Sequence, residues 1–120
     1  MVTITITNAS KILKGREAIK LKDTTNAVKL DEATQSGKVI FAPADWAVLK
    51  VDTEDGESYE KYVILDKDGV KYTTGSQSFW SSFIDIWNDM SGEDEDYQVE
   101  VYRVDSKNYK GKQFLSCSII

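Results

Sequence analysis

The chain has 120 residues, 41% hydrophobic and 29% charged, with a formal net charge of −5. That length suits one domain with a core of its own, and the composition is that of a globular chain, not a disordered one. Histidine is absent and Cys117 is the only cysteine, which excludes an intramolecular disulfide, a Cys–His nucleophile pair and the commonest general base.

The first residues, MVTITITNASK, place no basic segment ahead of an apolar one, so they do not read as a secretory signal. No apolar run approaches the ~20 residues of a membrane span, and the lone thiol fits a reducing compartment. The expectation is a cytoplasmic protein without membrane contact. Val2, Ile4 and Ile6 alternate with threonines, the pattern of a strand with one buried face. KILKGREAIKLK follows. Gly15 marks a turn, and the alternation of Ile19 and Leu21 with Lys20 and Lys22 predicts a strand with a basic outer face. Ala27 to Leu30 reads as a short strand and Asp31 to Gly37 as loop. Val39 to Phe41 is a buried strand ending at Pro43, and Trp46 to Val51 is another.

Asp55-Gly56 joins this last strand to Tyr59–Leu65, and Asp68-Gly69 joins Tyr59–Leu65 to Val70–Thr74. Asp-Gly between β-rich runs is a hairpin signal, because glycine takes the positive φ that closes the turn. If Gly69 is the bulge of a type I turn, Tyr62, Ile64 and Tyr72 share one face and Lys61, Val63 and Lys71 the other. Whether the tyrosines are core or stacking platforms stays open. Phe79, Phe83, Ile86, Trp87 and Met90 recur at helical spacing, predicting a helix over 78–90, with Ser76 or Ser78 as its cap and Gly92 beyond its end. Tyr97–Val104 and Gln113–Ile119 complete the strands. From Trp46 the order is three strands, a helix and two strands. That is the order of an OB-fold, a five-stranded Greek-key barrel, here with residues 1–45 as an N-terminal β extension and 46–120 as the barrel core of a single domain.

Charge is unevenly spread. Lys11, Lys14, Arg16, Lys20 and Lys22 against Glu17 give residues 11–22 a net charge of +4, and Arg103, Lys107, Lys110 and Lys112 against Asp105 give 103–112 a net +3. The remainder carries −12. Two basic segments on an acidic chain can bind a polyanion locally, or they can be solvated faces. In the second segment, Tyr109 stands among three lysines and beside Gly111. Lysines meet phosphates, and an aromatic ring stacks on any unpaired base. In an OB-fold this is the loop between strands four and five, which flanks the binding face. Glu93 to Asp96 could ligate a hard cation but reads better as a solvated acidic loop. Asp66-Lys67-Asp68-Gly69 opens like an EF-hand loop, but Gln77 stands where its last acid is required. Neither a phosphate loop, a nucleophile elbow nor a zinc spacing occurs. No catalytic residue, metal or cofactor is expected.

Three stretches are similar to the small single-stranded DNA-binding proteins of bacteriophages of Gram-positive bacteria: FAPADW from Phe41 to Trp46, YTTGSQSFWSSFIDIW from Tyr72 to Trp87, and SKNYKGKQFLSC from Ser106 to Cys117. The resemblance implies an OB-fold, coating of unwound DNA in phage replication or recombination within the host cytoplasm, and self-association, a dimer being favoured. Phage recombination or replication proteins would be further partners. The acidic tail of bacterial single-stranded DNA-binding proteins is missing from Cys117-Ser-Ile-Ile120, which puts recruitment through such a tail in doubt. The resulting expectation is non-sequence-specific single-stranded DNA binding without catalysis. Lys14, Arg16, Lys20, Lys22, Lys61, Lys71, Arg103, Lys107, Lys110 and Lys112 would be its cationic contacts, with Tyr62 and Tyr109 stacking on bases. The alternative is an OB-like protein-interaction module whose acidic surface engages a basic phage or host protein. A carboxylate-dependent nuclease built on Glu93 to Asp96 lacks a supporting basic or histidine partner.

Overall fold

The computed structural model describes residues 2–107 and 111–120. It is mainly β, with one long helix and two sheets. The elements are β1 (Thr3–Ala9), α1 (Arg16–Lys22), β2 (Val28–Lys29), α2 (Leu30–Ala33), β3 (Val39–Phe41), β4 (Pro43–Asp52), β5 (Ser58–Asp66), β6 (Lys71–Thr74), α3 (Gln77–Met90), β7 (Val99–Asp105) and β8 (Gln113–Ile119). They divide between two compact units, one of residues 1–29 and 43–75, the other of 30–42 and 76–120. Neither sheet closes into a barrel.

The first unit holds a five-stranded sheet in the order β1-β4-β5-β6-β2. β4 and β5 pair from Asp52↔Ser58 back to Pro43↔Asp66, and β5 and β6 from Tyr62↔Thr74 to Leu65↔Lys71. Both Asp-Gly hairpins form as the sequence predicts. Gly69 takes a φ of 86°, while the Asp66 carboxylate accepts hydrogen bonds from the backbone N–H groups of Asp68 and Val70 at 3.0 and 2.8 Å. This register puts Tyr62, Ile64 and Tyr72 on one face and Lys61, Val63 and Lys71 on the other, also as expected. The second face builds a core from Ala47, Leu49 and Val63, closed by Leu21 of α1 and edged by Ile4, Ile6, Ala9, Leu13 and Leu65.

Residues 16–22 are a helix, not the predicted strand. Four alternating residues cannot separate the two periods, and Glu, Ala, Lys and Leu are all good helix formers. Leu21 is buried whereas Ile19 is 68% exposed, so the two do not share a buried strand face. Residues 31–37 likewise begin with the short helix α2, where a loop is expected from the sequence, and β2 is only two residues long.

The second unit packs α3 on the β3-β7-β8 sheet. Ser76 caps α3, its Oγ accepting the Phe79 N–H at 3.2 Å. Phe83, fully buried, has ring centroids around it at 5.3 Å (Trp80), 5.9 Å (Phe79), 6.2 Å (Trp87) and 6.5 Å (Phe41). Phe41, Val99, Val101, Leu115 and Cys117 supply the buried residues of the sheet. Burial pushes the Cys117 thiol up to about 12. The thiolate is the reactive species, so at mildly alkaline pH only roughly one thiol in ten thousand is ionised. Cys117 is therefore expected to resist iodoacetamide in the folded protein and to react promptly in denaturant. Alkylation at a free-thiol rate without denaturant would show that this core opens.

Candidate functional site

The basic segment 11–22 runs from the end of β1 through α1, and its cations fall into two groups. Lys11 is neutralised. Its ammonium pairs with Asp45 and Glu17, each at 3.3 Å, and these carboxylates, Asp45 foremost, raise its pKa above the ordinary lysine value. Lys14, Arg16, Lys20 and Lys22 make no ion pair among the described residues. Lys14, Arg16 and Lys20 are exposed, and Lys22 is half-buried. Between and beside them Ile12 is 82% exposed and Ile19 68%. Unneutralised cations thus alternate with bare aliphatic side chains.

Lys61 and Lys71 lie on the face that α1 covers, and both are bound within the protein. The Lys71 ammonium donates to the carbonyls of Lys20 and, at 2.7 Å, Asp23. A cation there satisfies carbonyls that the last helical turn leaves without partners and complements the negative end of the helix dipole. Lys61 donates to Thr24 Oγ1 at 2.9 Å, and burial, aided by the charge of Lys29, lowers its pKa. On the opposite face Tyr62 is 4% exposed, its hydroxyl donating to Glu60 at 3.2 Å. A ring so enclosed offers no free face to a base. Tyr72 is half-buried and donates to Asp66 at 3.5 Å.

In the second unit Arg103 is also engaged. Its Nε donates to Thr34 Oγ1 at 3.1 Å and its Nη2 to the Asp31 carbonyl, fastening α2 to β7. Lys107 and Lys112 are exposed in the β7–β8 loop, which the Ser106 N–H closes by donating to the Lys112 carbonyl at 2.9 Å. Tyr109 and Lys110 lie outside the described residues.

Beside α1 the first unit opens a cleft of about 320 Å³, floored by Leu13, Leu21 and Leu65 and rimmed by Lys11, Lys20, Lys71, Glu17 and Asp45. Gly69 and Lys71 are shared with a second cleft of about 270 Å³, lined also by Asp23, Asn26, Ala27 and Val70. Sequence reasoning found Lys20 and Lys71 but missed the leucine floor. The floor brings Leu21 of α1 together with Leu65 of β5, residues far apart in the sequence. The Asp45 partner of Lys11 is likewise distant along the chain. The run Glu93 to Asp96 is exposed, and among the described residues no three acidic or cysteine side chains converge to hold a metal ion. Among the described residues no helix is long and apolar enough to cross a membrane. Comparison with protein-family models, with curated proteins and with solved structures finds no match.

Proposed function

We propose that the chain is an OB-fold protein that binds single-stranded DNA without sequence preference and without catalysis, serving phage replication or recombination. The observation that carries this reading is the basic segment through α1, where Lys14, Arg16, Lys20 and Lys22 make no ion pair among the described residues and stand beside exposed Ile12 and Ile19. Unneutralised cations release counterions when they meet phosphates, and bare aliphatic groups gain from contact with unpaired bases. Lys107 and Lys112 add charge in the β7–β8 loop, where Tyr109 would stack. The three stretches similar to phage single-stranded DNA-binding proteins support the same reading.

Strand pairing supports the OB-fold. β3 and β4 follow one another in sequence, separated only by Ala42. β3 pairs with β7 and β4 with β5. In an OB-fold the first strand pairs with the second and the fourth. The order that follows, β5, β6, α3, β7 and β8, is the order of strands and helix on which the OB reading rests.

A mobility shift with single-stranded and duplex DNA at two salt concentrations tests the function. Single strands should bind at least an order of magnitude more tightly, because only unpaired bases expose their faces to side chains. Equal affinity would reduce the basic segments to a general polyanion sink. No binding to either at low salt would favour the protein-interaction module instead.

A further inference from the structure

We propose that the cleft beside α1 is a nucleotide subsite, holding one nucleoside monophosphate unit with its base on Leu13 and Leu65 and its phosphate between Lys20 and Lys71. The inference rests on the single-strand-binding reading and adds where one unit of the strand is seated.

The argument begins with the lining. Half-buried Leu13 and Leu65, with the core residue Leu21 beside them, make an apolar lining, which suits the face of a base and not a hydrated ion. The volume of about 320 Å³ falls at the lower end of the roughly 300–1,000 Å³ of small-ligand sites, room for one such unit. The rim carries three cations against two carboxylates. Lys11 pairs with both carboxylates but cancels only one of their two charges, so with Lys20 and Lys71 the rim keeps a net charge of +1 toward an incoming anion. Lys20 has no ion pair among the described residues. Lys71 spends two of its three N–H groups on the Lys20 and Asp23 carbonyls, leaving one to donate outward. Those two bonds also hold its ammonium in place, so a phosphate meets a preorganised donor. Gly69 and Lys71 line this cleft and the second one, so a strand seated here has a neighbouring concavity for its next unit.

Methyl NMR of the whole chain, titrated with thymidine 5′-monophosphate, thymidine and a short oligothymidylate, tests the subsite. Shifts of the Leu13, Leu21 and Leu65 methyls are expected with the monophosphate and the oligonucleotide, and much weaker ones with thymidine. Lys20→Ala should weaken the monophosphate about tenfold, the loss of one charge-assisted contact. Leu13→Phe, which fills the cleft, should abolish the monophosphate shifts. Should that variant fail to fold, Lys20→Ala on its own decides, since its side chain is exposed. An oligonucleotide that binds without moving the leucine methyls overturns the subsite and leaves single-strand binding intact. Leucine shifts with the monophosphate but no oligonucleotide binding would keep the subsite and overturn single-strand binding. Silence with every ligand overturns both.

Discussion

Replacing Lys14, Arg16, Lys20 and Lys22 together with alanine is expected to flatten the salt dependence of single-strand binding by about 3 in the log–log slope. Each neutralised phosphate on a single strand releases ~0.7 counterion, and four contacts are lost. At about 0.1 M salt that corresponds to roughly two to three orders of magnitude in affinity. The loss should be uniform across sequences, because phosphate contacts carry no base information. Lys107, Lys110 and Lys112 replaced together should cost a slope of about 2 by the same reasoning. Tyr109→Ala should instead cost on the order of 1–3 kcal/mol with the slope nearly unchanged. Circular dichroism must first show each variant folded. A folded four-residue variant with wild-type affinity and slope would mean that α1 is not where the phosphates lie.

Phe83→Ala is expected to have the largest effect on stability. Its ring is fully buried at the centre of Phe41, Phe79, Trp80 and Trp87, so truncation forfeits both transfer free energy and the contacts of four neighbouring rings. The cost should be about 3–5 kcal/mol, since aromatic rings leave cavities that their neighbours fill only partly. For a chain of this size that lowers the thermal midpoint by roughly 15 °C. A fall of only a degree or two would show that the ring cluster is not packed as described. Glu93, in an exposed loop, supplies the control. Its replacement by alanine should stay within about 0.5 kcal/mol of wild type.

The legible parts of this sequence were those decided locally. Asp55-Gly56 and Asp68-Gly69 each force one backbone geometry, and the strand register and side-chain faces of β5 and β6 follow from it. The spacing of Phe79, Phe83 and Trp87 repeats over enough turns for the helical period to be unambiguous, and α3 matches the expectation within one residue at its start. Ile19 to Lys22 repeats too briefly, and its helix is settled by distant groups: the Leu21 pocket and the Lys71 ammonium. The site was legible as composition but not as geometry. Cationic side chains are flexible, and sequence alone does not say which are spent internally. Arg103, Lys61 and Lys71 read in sequence like Lys14 and Arg16, yet the first three hold carbonyls and hydroxyls of their own chain. Tyr62 differs from an exposed ring only in what packs over it.

The two compact units are threaded through one another along the chain, and this has a consequence for synthesis on the ribosome. The first unit is complete once Gly75 has emerged, since its last strand is β6. By then α2 and β3 have also been translated, but β7, with which β3 pairs among the described residues, has not. Ile40 and Phe41 therefore sit in a nascent strand with an unoccupied edge until residues 99–101 arrive. Unpaired edges that carry apolar side chains are where growing chains associate wrongly. The short length of β3 and the Lys38 cation beside it are the kind of features that blunt such an edge. Slowing translation between codons 76 and 99 would prolong the exposure, and is where a recombinant preparation would gain most from a holdase chaperone.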